Sequence, residues 1–550
     1  MSDGIENIIQ TSKYLDNINQ LCHNKGITFE DRINVILDVC NNKDIQNKEI
    51  SDYIKNILDN VCKEELIQKV FMEFGNKIIK KDLDQYYTPL TIGKLMCDLC
   101  NDNKDVIDPA CGTGDLLIFY KKNNSINLWD ISEQVISLTN TNYKFHNMIS
   151  KTKVLDSIKN YDTENGSYDY VMLNPPFGQK TVISDQNILK NYELGIDKKK
   201  QEIGILFIER SMNLLKEGGV AFIIVPSGYL GNSNNNYTNL RKYLLRYRII
   251  SIIRLPSNTF SRSGTGVSTC ILIINKTPQS NDYNIHIKDI ENIGYVLNKR
   301  NTPFKYKKEG NNYIFDDVGK PILDNDLIEL HSEIEYFCYK QRLHCLKNNS
   351  TRYSYEVVNT TEIKNNNYIL DIGRYLNIYK KCVNEIKNSL GVVYLRDLII
   401  DCDFKFKKDD SIEYNYLDIK EVSTPFYNGK KLYGYELPGR ASYKLRKDDI
   451  LVSKLKGKIS FTIILTDESN LICTNGFIVL RPKDDYSKTL IFGNLFSKEF
   501  RIQHQSLTTG SIMETITEED TKNILMTKDI NIQKYNNVID SMIIIKNELN

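Results

Sequence analysis

The octapeptide Val171-Met172-Leu173-Asn174-Pro175-Pro176-Phe177-Gly178 combines three residue types that can act together on a flat amine. Tyr168–Leu173 reads as a short strand, apolar from Tyr170 onward. Asn-Pro-Pro must end it, because proline supplies no ladder N–H and restricts the residue before it. The Asn174 side-chain oxygen and the Pro175 carbonyl could each accept one hydrogen of a single exocyclic NH2. Phe177 could stack on the ring that carries that amine. The competing reading is an ordinary strand-to-loop turn without chemistry, and the octapeptide alone leaves both open.

A second stretch lies about 60 residues upstream: Val106-Ile107-Asp108-Pro109-Ala110-Cys111-Gly112-Thr113-Gly114-Asp115-Leu116-Leu117. It reads as strand, glycine turn and helix. Glycines let a backbone approach a ligand closely, and a helix N-terminus presents free N–H groups. A lone glycine loop is a weak signal. Here two strand-end acids lie between the two motifs. Asp130 ends Ile126-Asn127-Leu128-Trp129, where a carboxylate can hold ribose hydroxyls. Asp156 follows Lys153-Val154-Leu155 and could meet an adenine amino group.

Taken in order, these motifs resemble the N6-adenine DNA methyltransferases, specifically the modification subunits of type I restriction systems. The resemblance implies a class I S-adenosylmethionine-dependent methyltransferase domain, a Rossmann-like α/β sheet. It implies S-adenosylmethionine held by Asp108, Ala110, Cys111, Gly112, Gly114, Asp130, Ile131, Asp156 and Asn174, with Tyr87-Thr88-Pro89 closing over its methionine end. It also implies a flipped-out adenine of double-stranded DNA at the catalytic residues Asn174, Pro175, Pro176 and Phe177. Thr88 before Pro89 reads equally as a helix cap with proline at the first helical position, and the two readings are compatible. Val225-Pro226-Ser227-Gly228-Tyr229-Leu230, the stretch 255–260 with Gly264 and Gly266, and the stretch 292–300 also match the subunit pattern in position. The resemblance covers roughly residues 65–310.

These motifs need elements to position them. Strands and helices alternate from 104 to about 276, which predicts a sheet with helices on both faces. The long polar segment 179–201, rich in Lys and Asn, reads as a lid or a substrate contact. Residues 1–80 carry apolar side chains at helical spacing and predict a helical N-terminal domain. A nuclease fused there would need an acidic-x-Lys constellation that is not evident. The catalytic domain is expected over 81–310, followed by a helical linker over 311–390.

From 391 to 518 strands and turns replace the α/β rhythm. This region resembles the mixed α+β target-recognition domain of a type I specificity subunit. Seven basic residues against two acids fall between Arg440 and Lys458. Lys444, Arg446, Lys454, Lys456 and Lys458 are therefore candidate phosphate contacts, the alternative being a solvated strand face. The tail, 519–550, predicts an amphipathic helix from Ile532, apolar at Tyr535, Val538, Ile539, Met542, Ile545 and Leu549. Resemblance makes it a spacer or docking surface: for residues 375–390, for a second copy, or for a restriction or specificity subunit.

Bulk properties set the outer limits. A chain of 550 residues can build several domains, each with its own core. The formal charge is only +2, so any surface for nucleic acid must be local. Twelve cysteines are scattered singly except Cys97-x-x-Cys100, which sits at helical spacing and reads as core packing; the six histidines form no cluster, and no metal is expected. The sequence shows neither a signal peptide nor a run of about 18 apolar residues, which predicts a soluble intracellular protein. Competing functions are methyl transfer to RNA or to a protein glutamine, a bifunctional restriction enzyme, and a non-catalytic DNA-binding subunit.

Overall fold

Two helices, α1 (Phe29–Cys40) and α2 (Lys48–Leu58), close a small core of Ile18, Cys22, Ile36, Val39, Ile50, Ile54 and Ile57. Ile50, Ile54 and Ile57 recur on one face of α2, the spacing that buries a stripe. The computed structural model describes residues 14, 17–40, 43–58, 88–120, 126–146, 148–176, 181–261, 266–297, 304–317, 319–389, 391–457 and 459–549. The helical spacing expected around Leu66 to Phe71 lies outside the described residues. Two compact units are present, Met1–Leu370 and Asp371–Asn550.

The first unit is built on a nine-stranded sheet. Its strands are β1 (Val106–Asp108), β2 (Ile126–Asp130), β3 (Ser150–Val154) and β4 (Tyr168–Leu173), then a small hairpin of β5 (Val182–Ile183) and β6 (Gln201–Glu202) outside the sheet. There follow β7 (Leu215–Pro226), β8 (Tyr247–Arg254), β9 (Thr269–Pro278), β10 (Asn284–Asp289) and β11 (Glu356–Asn359). The order is β11-β10-β8-β9-β7-β4-β1-β2-β3. Strands β3, β2, β1, β4 and β7 run parallel. Strand β9 is antiparallel to both β7 and β8. This is the Rossmann-like α/β sheet expected. The order turns back at β1, and in open parallel sheets the ligand crevice lies beyond the carboxyl ends of the strands at that point.

Helices α3 (Leu90–Leu99), α4 (Glu133–Phe145), α5 (Ile203–Leu214), α6 (Asn235–Leu244) and α7 (Leu327–Lys340) complete the unit. Ser132 caps α4 by accepting the Val135 N–H, and Asn234 caps α6, each supplying an oxygen to an otherwise orphan donor. Cys97 and Cys100 are buried in the core on α3, where each thiol donates to a carbonyl, that of Leu116 or Met96. Among the described residues no helix is long and apolar enough to cross a membrane.

The structure corrects two expected boundaries. The sheet does not end at 310, because β11 pairs antiparallel with β10 at its edge. Residues 311–390 are therefore no helical linker: Leu330, Ile334 and Phe337 of α7 join the main core, and the units divide after Leu370. A four-residue edge strand after a long irregular stretch carries too little periodicity to be read in advance.

The second unit begins with α8 (Asn377–Lys387) and β12 (Val392–Tyr394). A four-stranded sheet contains β13 (Glu413–Leu417), β14 (Lys430–Tyr433) and β15 (Ala441–Lys444). A three-stranded sheet contains β16 (Ile450–Ser453) and β17 (Phe461–Ile463). Strand β18 (Leu471–Thr474) completes the first and β19 (Phe477–Leu480) the second. Helices α9 (Asp485–Leu495) and α10 (Lys498–Leu507), strand β20 (Leu525–Thr527) and helix α11 (Ile532–Leu549) close it. Strand β20 pairs with β12, so the tail returns to the start of the unit.

Helix α11 is amphipathic as expected, but its stripe is spent locally. Ile539 and Met542 are buried with Leu490, Ile491 and Leu495 of α9, and Tyr535 stacks on Phe496 at 6.0 Å. Helix α8, the expected internal partner, packs instead against α10 and β20, through Cys382, Ile386, Ile502 and Leu525. Ile544 and Ile545 stay exposed on α11.

His504 on α10 is fully buried; its Nε2–H donates to the Ser453 carbonyl at 2.9 Å, and Nδ1 has no partner among the described residues. Burial holds its pKa down to about 4, against an ordinary value of 6.5. The unfolded chain binds a proton here before the folded one does. Stability from this group is thus fully present above pH 6.5 and is lost as pH falls towards about 4. We expect a loss of up to about 3 kcal/mol across that window, absent in His504→Phe, measured by denaturant melts of the full chain against pH.

Candidate active site

Strands β1 to β4 all end at the same sheet edge, and each delivers one polar residue there: Asp108, Asp130, Asp156 and Asn174. All four line one cavity of about 330 Å³, together with Thr88, Ala110, Cys111, Gly112, Ile131 and Pro176. The fold therefore gathers most of the expected site residues. Pro89, Gly114 and Pro175 are not among the described residues that line it. Tyr87 and Phe177 lie outside the described residues.

The glycine loop is held from below. Asp130 accepts the Gly112 N–H at 3.1 Å and the Ser132 N–H at 3.0 Å, which ties the loop to the end of β2. Thr139, Asn142 and Tyr143 of α4 donate to the carbonyls of Gly112, Thr113 and Gly114 at 2.6, 2.9 and 3.0 Å. Gly112 and Gly114 both have positive φ, 52° and 84°, which explains the residue type at each. Gly114 faces the protein and not the cavity: a Cβ there would lie 2.5 Å from Tyr143 Cε2. Close packing beneath the loop is thus a further reason for glycine at this position. Gly114→Ala should lower the stability of the full chain by about 2–4 kcal/mol, from backbone strain plus overpacking, read by chemical denaturation.

The Asp108 carboxyl is fully buried, which pushes its pKa well above the usual carboxylate range; Asp130 and Asp115 add to the shift, and the Ala110 N–H at 3.0 Å opposes it. Burial likewise raises the Cys111 thiol, and the acids Asp108 and Asp130 raise it further, so this cysteine is no ready nucleophile. Asp156 Oδ1 accepts the N–H groups of Ile158 and Lys159 at 3.1 and 3.0 Å. The cavity wall thus carries several carboxyls and, among the described lining residues, no Lys, Arg or His. Such a donor set suits a cationic nucleoside with hydroxyl and amino groups. For a pyrophosphate in the same place, the charged side chains among the described lining residues would all be acids. S-adenosylmethionine, whose sulfonium and ammonium are positive and whose ribose offers hydroxyls, fits these residues.

Asn174 is oriented by a residue 86 positions earlier: its Nδ2 donates to Thr88 Oγ1 at 2.9 Å. With NH2 turned to Thr88, the acceptor end of this amide is Oδ1. The bond also revises the reading of Thr88 as a cap. Pro89 occupies the N-cap position of α3, with no side-chain cap hydrogen bond.

The far wall comes from residues that the motifs did not single out, including Thr181, Ile183, Ile188, Ile203 and Phe207. The segment 179–201 contributes here, and its described part is pinned at several points. Glu209 of α5 accepts the backbone N–H groups of Glu193 and Leu194 at 2.7 and 2.8 Å. The next residue, Arg210, is fully buried and donates to the carbonyls of Ser157 and Thr163, bracing the loop after β3. One helix therefore sets both flanks of the cavity. Its signal in the sequence was Ile203 and Phe207 at i, i+4, on the face that meets the cavity.

Not all of the basic residues expected to meet DNA are exposed. Lys444 and Arg446 are. Lys454 is half-buried over the Tyr443 ring at 5.7 Å, and burial lowers its pKa; Lys456 is paired with Glu514. Both follow β16 (Ile450–Ser453) and are engaged within the unit, so they are less open to a phosphate than Lys444 and Arg446. Lys458 lies outside the described residues.

Asp130→Ala removes both the tie to Gly112 and a carboxylate of the cavity. We expect cofactor affinity to fall by about 1–3 kcal/mol by calorimetry.

The family model described as N-6 DNA Methylase matches residues 69–382. The chain is 25% identical over 272 residues to the type I restriction enzyme MpnII methylase subunit of Mycoplasma pneumoniae, covering 43% of this chain and 48% of that one. It is 26% identical over 237 residues to the type II restriction enzyme and methyltransferase RM.BcgI of Heyndrickxia coagulans, covering 38% and 34%. It thus spans less than half the length of either relative. Among solved structures, the type IIG restriction endonuclease BpuSI aligns over 90% of this chain and 65% of its own, with TM-score 0.50 and 12% identity, a likeness of fold alone. With the family model spanning more than half of its residues, the chain belongs to the N-6 DNA methylase family.

Proposed function

We propose that this chain is a site-specific DNA methyltransferase that moves a methyl group from S-adenosylmethionine to N6 of an adenine in double-stranded DNA. The observation that carries the reading is Asn174, held by Thr88 at the carboxyl edge of β4 and lining the same acid-walled cavity as Asp108 and Asp130. When bound, the cofactor supplies an electrophilic methyl on a sulfonium. The protein's own task is to present the amine. Asn174 Oδ1 and the Pro175 carbonyl accept its two N–H groups, which draws the lone pair out of conjugation and aims it. This is a positioning effect, and the proton can leave after transfer without a dedicated base.

A base inside the duplex cannot reach this edge, so it is flipped out, and Phe177 stacks on it. Tyr87-Thr88-Pro89 closes over the methionine end of the cofactor. The second unit acts as the target-recognition domain, with Lys444 and Arg446 on the phosphates. A homodimer or a restriction or specificity subunit docking on the tail would use Ile544 and Ile545, the apolar residues that α11 leaves exposed.

The test is transfer of labelled methyl groups to plasmid DNA, followed by nucleoside digestion. Label in N6-methyladenine is the expected result. Label only in RNA or on a protein glutamine would overturn the substrate class. Plasmid cleavage in the presence of Mg²⁺ would make the chain a bifunctional restriction enzyme.

A further inference from the structure

Three consecutive lysines, Lys198, Lys199 and Lys200, lead into β6, and the residue just after β6, Ile203, lines the cavity. They do not ride on a free loop. The Gln186 side chain donates to the carbonyls of Lys198 and Lys199 at 3.2 and 3.3 Å. Gln201 pairs with Ile183 across the hairpin and exchanges two hydrogen bonds with Asn236 of α6, at 3.0 and 2.8 Å. Lys199 and Lys200 are exposed and Lys198 is half-buried.

Most of the acids around them are engaged. Glu193 is paired with Arg246 at 2.7 Å, Asp185 accepts the Asn187 N–H at 2.8 Å, and Glu202 accepts the hydroxyls of Tyr229 and Tyr237 at 3.0 and 2.7 Å. Among the described residues, none of the three lysines takes part in an ion pair. Lys198 also shares an open groove of about 490 Å³ with Lys242, Asn236 and Asn239 of α6. Asp197 precedes the triplet and, with Glu193, lines the groove that Lys198 faces.

We propose that Lys198, Lys199 and Lys200, with Lys242 across the groove, bind the phosphates of the DNA strand that carries the target adenine. Lysines supply the charge, and asparagines are common partners for phosphate and sugar oxygens. Because the turn is already braced, binding costs little ordering entropy. The surface would set the strand beside the cavity without reading its bases. This inference rests on the DNA reading above.

The test is the full chain carrying Lys198→Ala, Lys199→Ala and Lys200→Ala together, with a triple Lys→Arg variant beside it. Binding to linearised plasmid is measured across a salt series. Phosphate binding is independent of sequence, so the recognition site need not be known. The alanine variant should bind DNA about 10- to 100-fold more weakly at low salt, and its plot of log K against log salt should be shallower by about 0.9 for each phosphate that is no longer neutralised. The arginine variant should keep both. Thermal unfolding and cofactor affinity should be unchanged in each. If the parent methylates DNA but the alanine variant keeps the parent's affinity and salt slope, the surface is refuted and the catalytic reading stands. If the parent transfers no methyl group to DNA yet the alanine variant binds more weakly with a shallower slope, the surface stands and the catalytic reading fails. Absence of any DNA binding by the parent overturns both.

Discussion

Asn174→Ala should abolish methyl transfer while leaving cofactor binding nearly intact. A preorganised polar group aimed at the reacting atom is typically worth about 10²–10³ in kcat, and here one of the two acceptors for the target amine is removed. Cofactor affinity should hold because Asp108 and Asp130 stay in place, Asp130 still tied to Gly112. Thr88→Val provides a graded control. It deletes the hydroxyl that receives the Asn174 amide at 2.9 Å without touching the acceptor oxygen. One net hydrogen bond is worth about 1 kcal/mol, so kcat should drop roughly fivefold. Wild-type turnover in Asn174→Ala would end the proposed chemistry. Equal losses in Asn174→Ala and Thr88→Val would mean that the turn, and not the acceptor, matters.

Residues 1–370 alone should bind S-adenosylmethionine with the affinity of the full chain and lose methylation of a defined site. The cavity and the main core both lie within this unit. The second unit has a core of its own, built on Ile450, Val452, Ile463, Leu480 and Phe492. If that unit chooses the sequence, its removal takes away specificity together with much of the DNA affinity. The drop in specific over non-specific binding should reach at least about 10³-fold, the lower end of what separates the two modes in site-specific proteins. Mapping of methylated adenines in DNA from cells expressing each form is the measurement. The full chain should methylate its site without an added specificity subunit. Site-specific methylation by residues 1–370, or none by the full chain without a partner, would each refute the division of labour.

Where chemistry is dictated by neighbours in the chain, the amino-acid order was sufficient. Proline cannot extend a ladder, so β4 ends at Leu173 as expected. Gly112 and Gly114 were legible as a turn, and both have positive φ. The strand-end acids Asp130 and Asp156 reach the cavity because four parallel strands finish at one edge, which the α/β rhythm already implied. Tertiary structure alone decided what each group faces. Thr88 serves Asn174 and not its own helix, since a hydroxyl chooses its partner by proximity, and the fold brings together residues 86 apart. Gly114 answers to Tyr143, and Lys456 to Glu514, for the same reason. An apolar stripe such as that of α11 must be buried, yet its spacing is the same whatever covers it; only the packing shows α9 as the partner. The lysines 198–200 were visible as letters, but their place beside the cavity depends on a hairpin held by Gln186 and Asn236, interactions that no local pattern encodes.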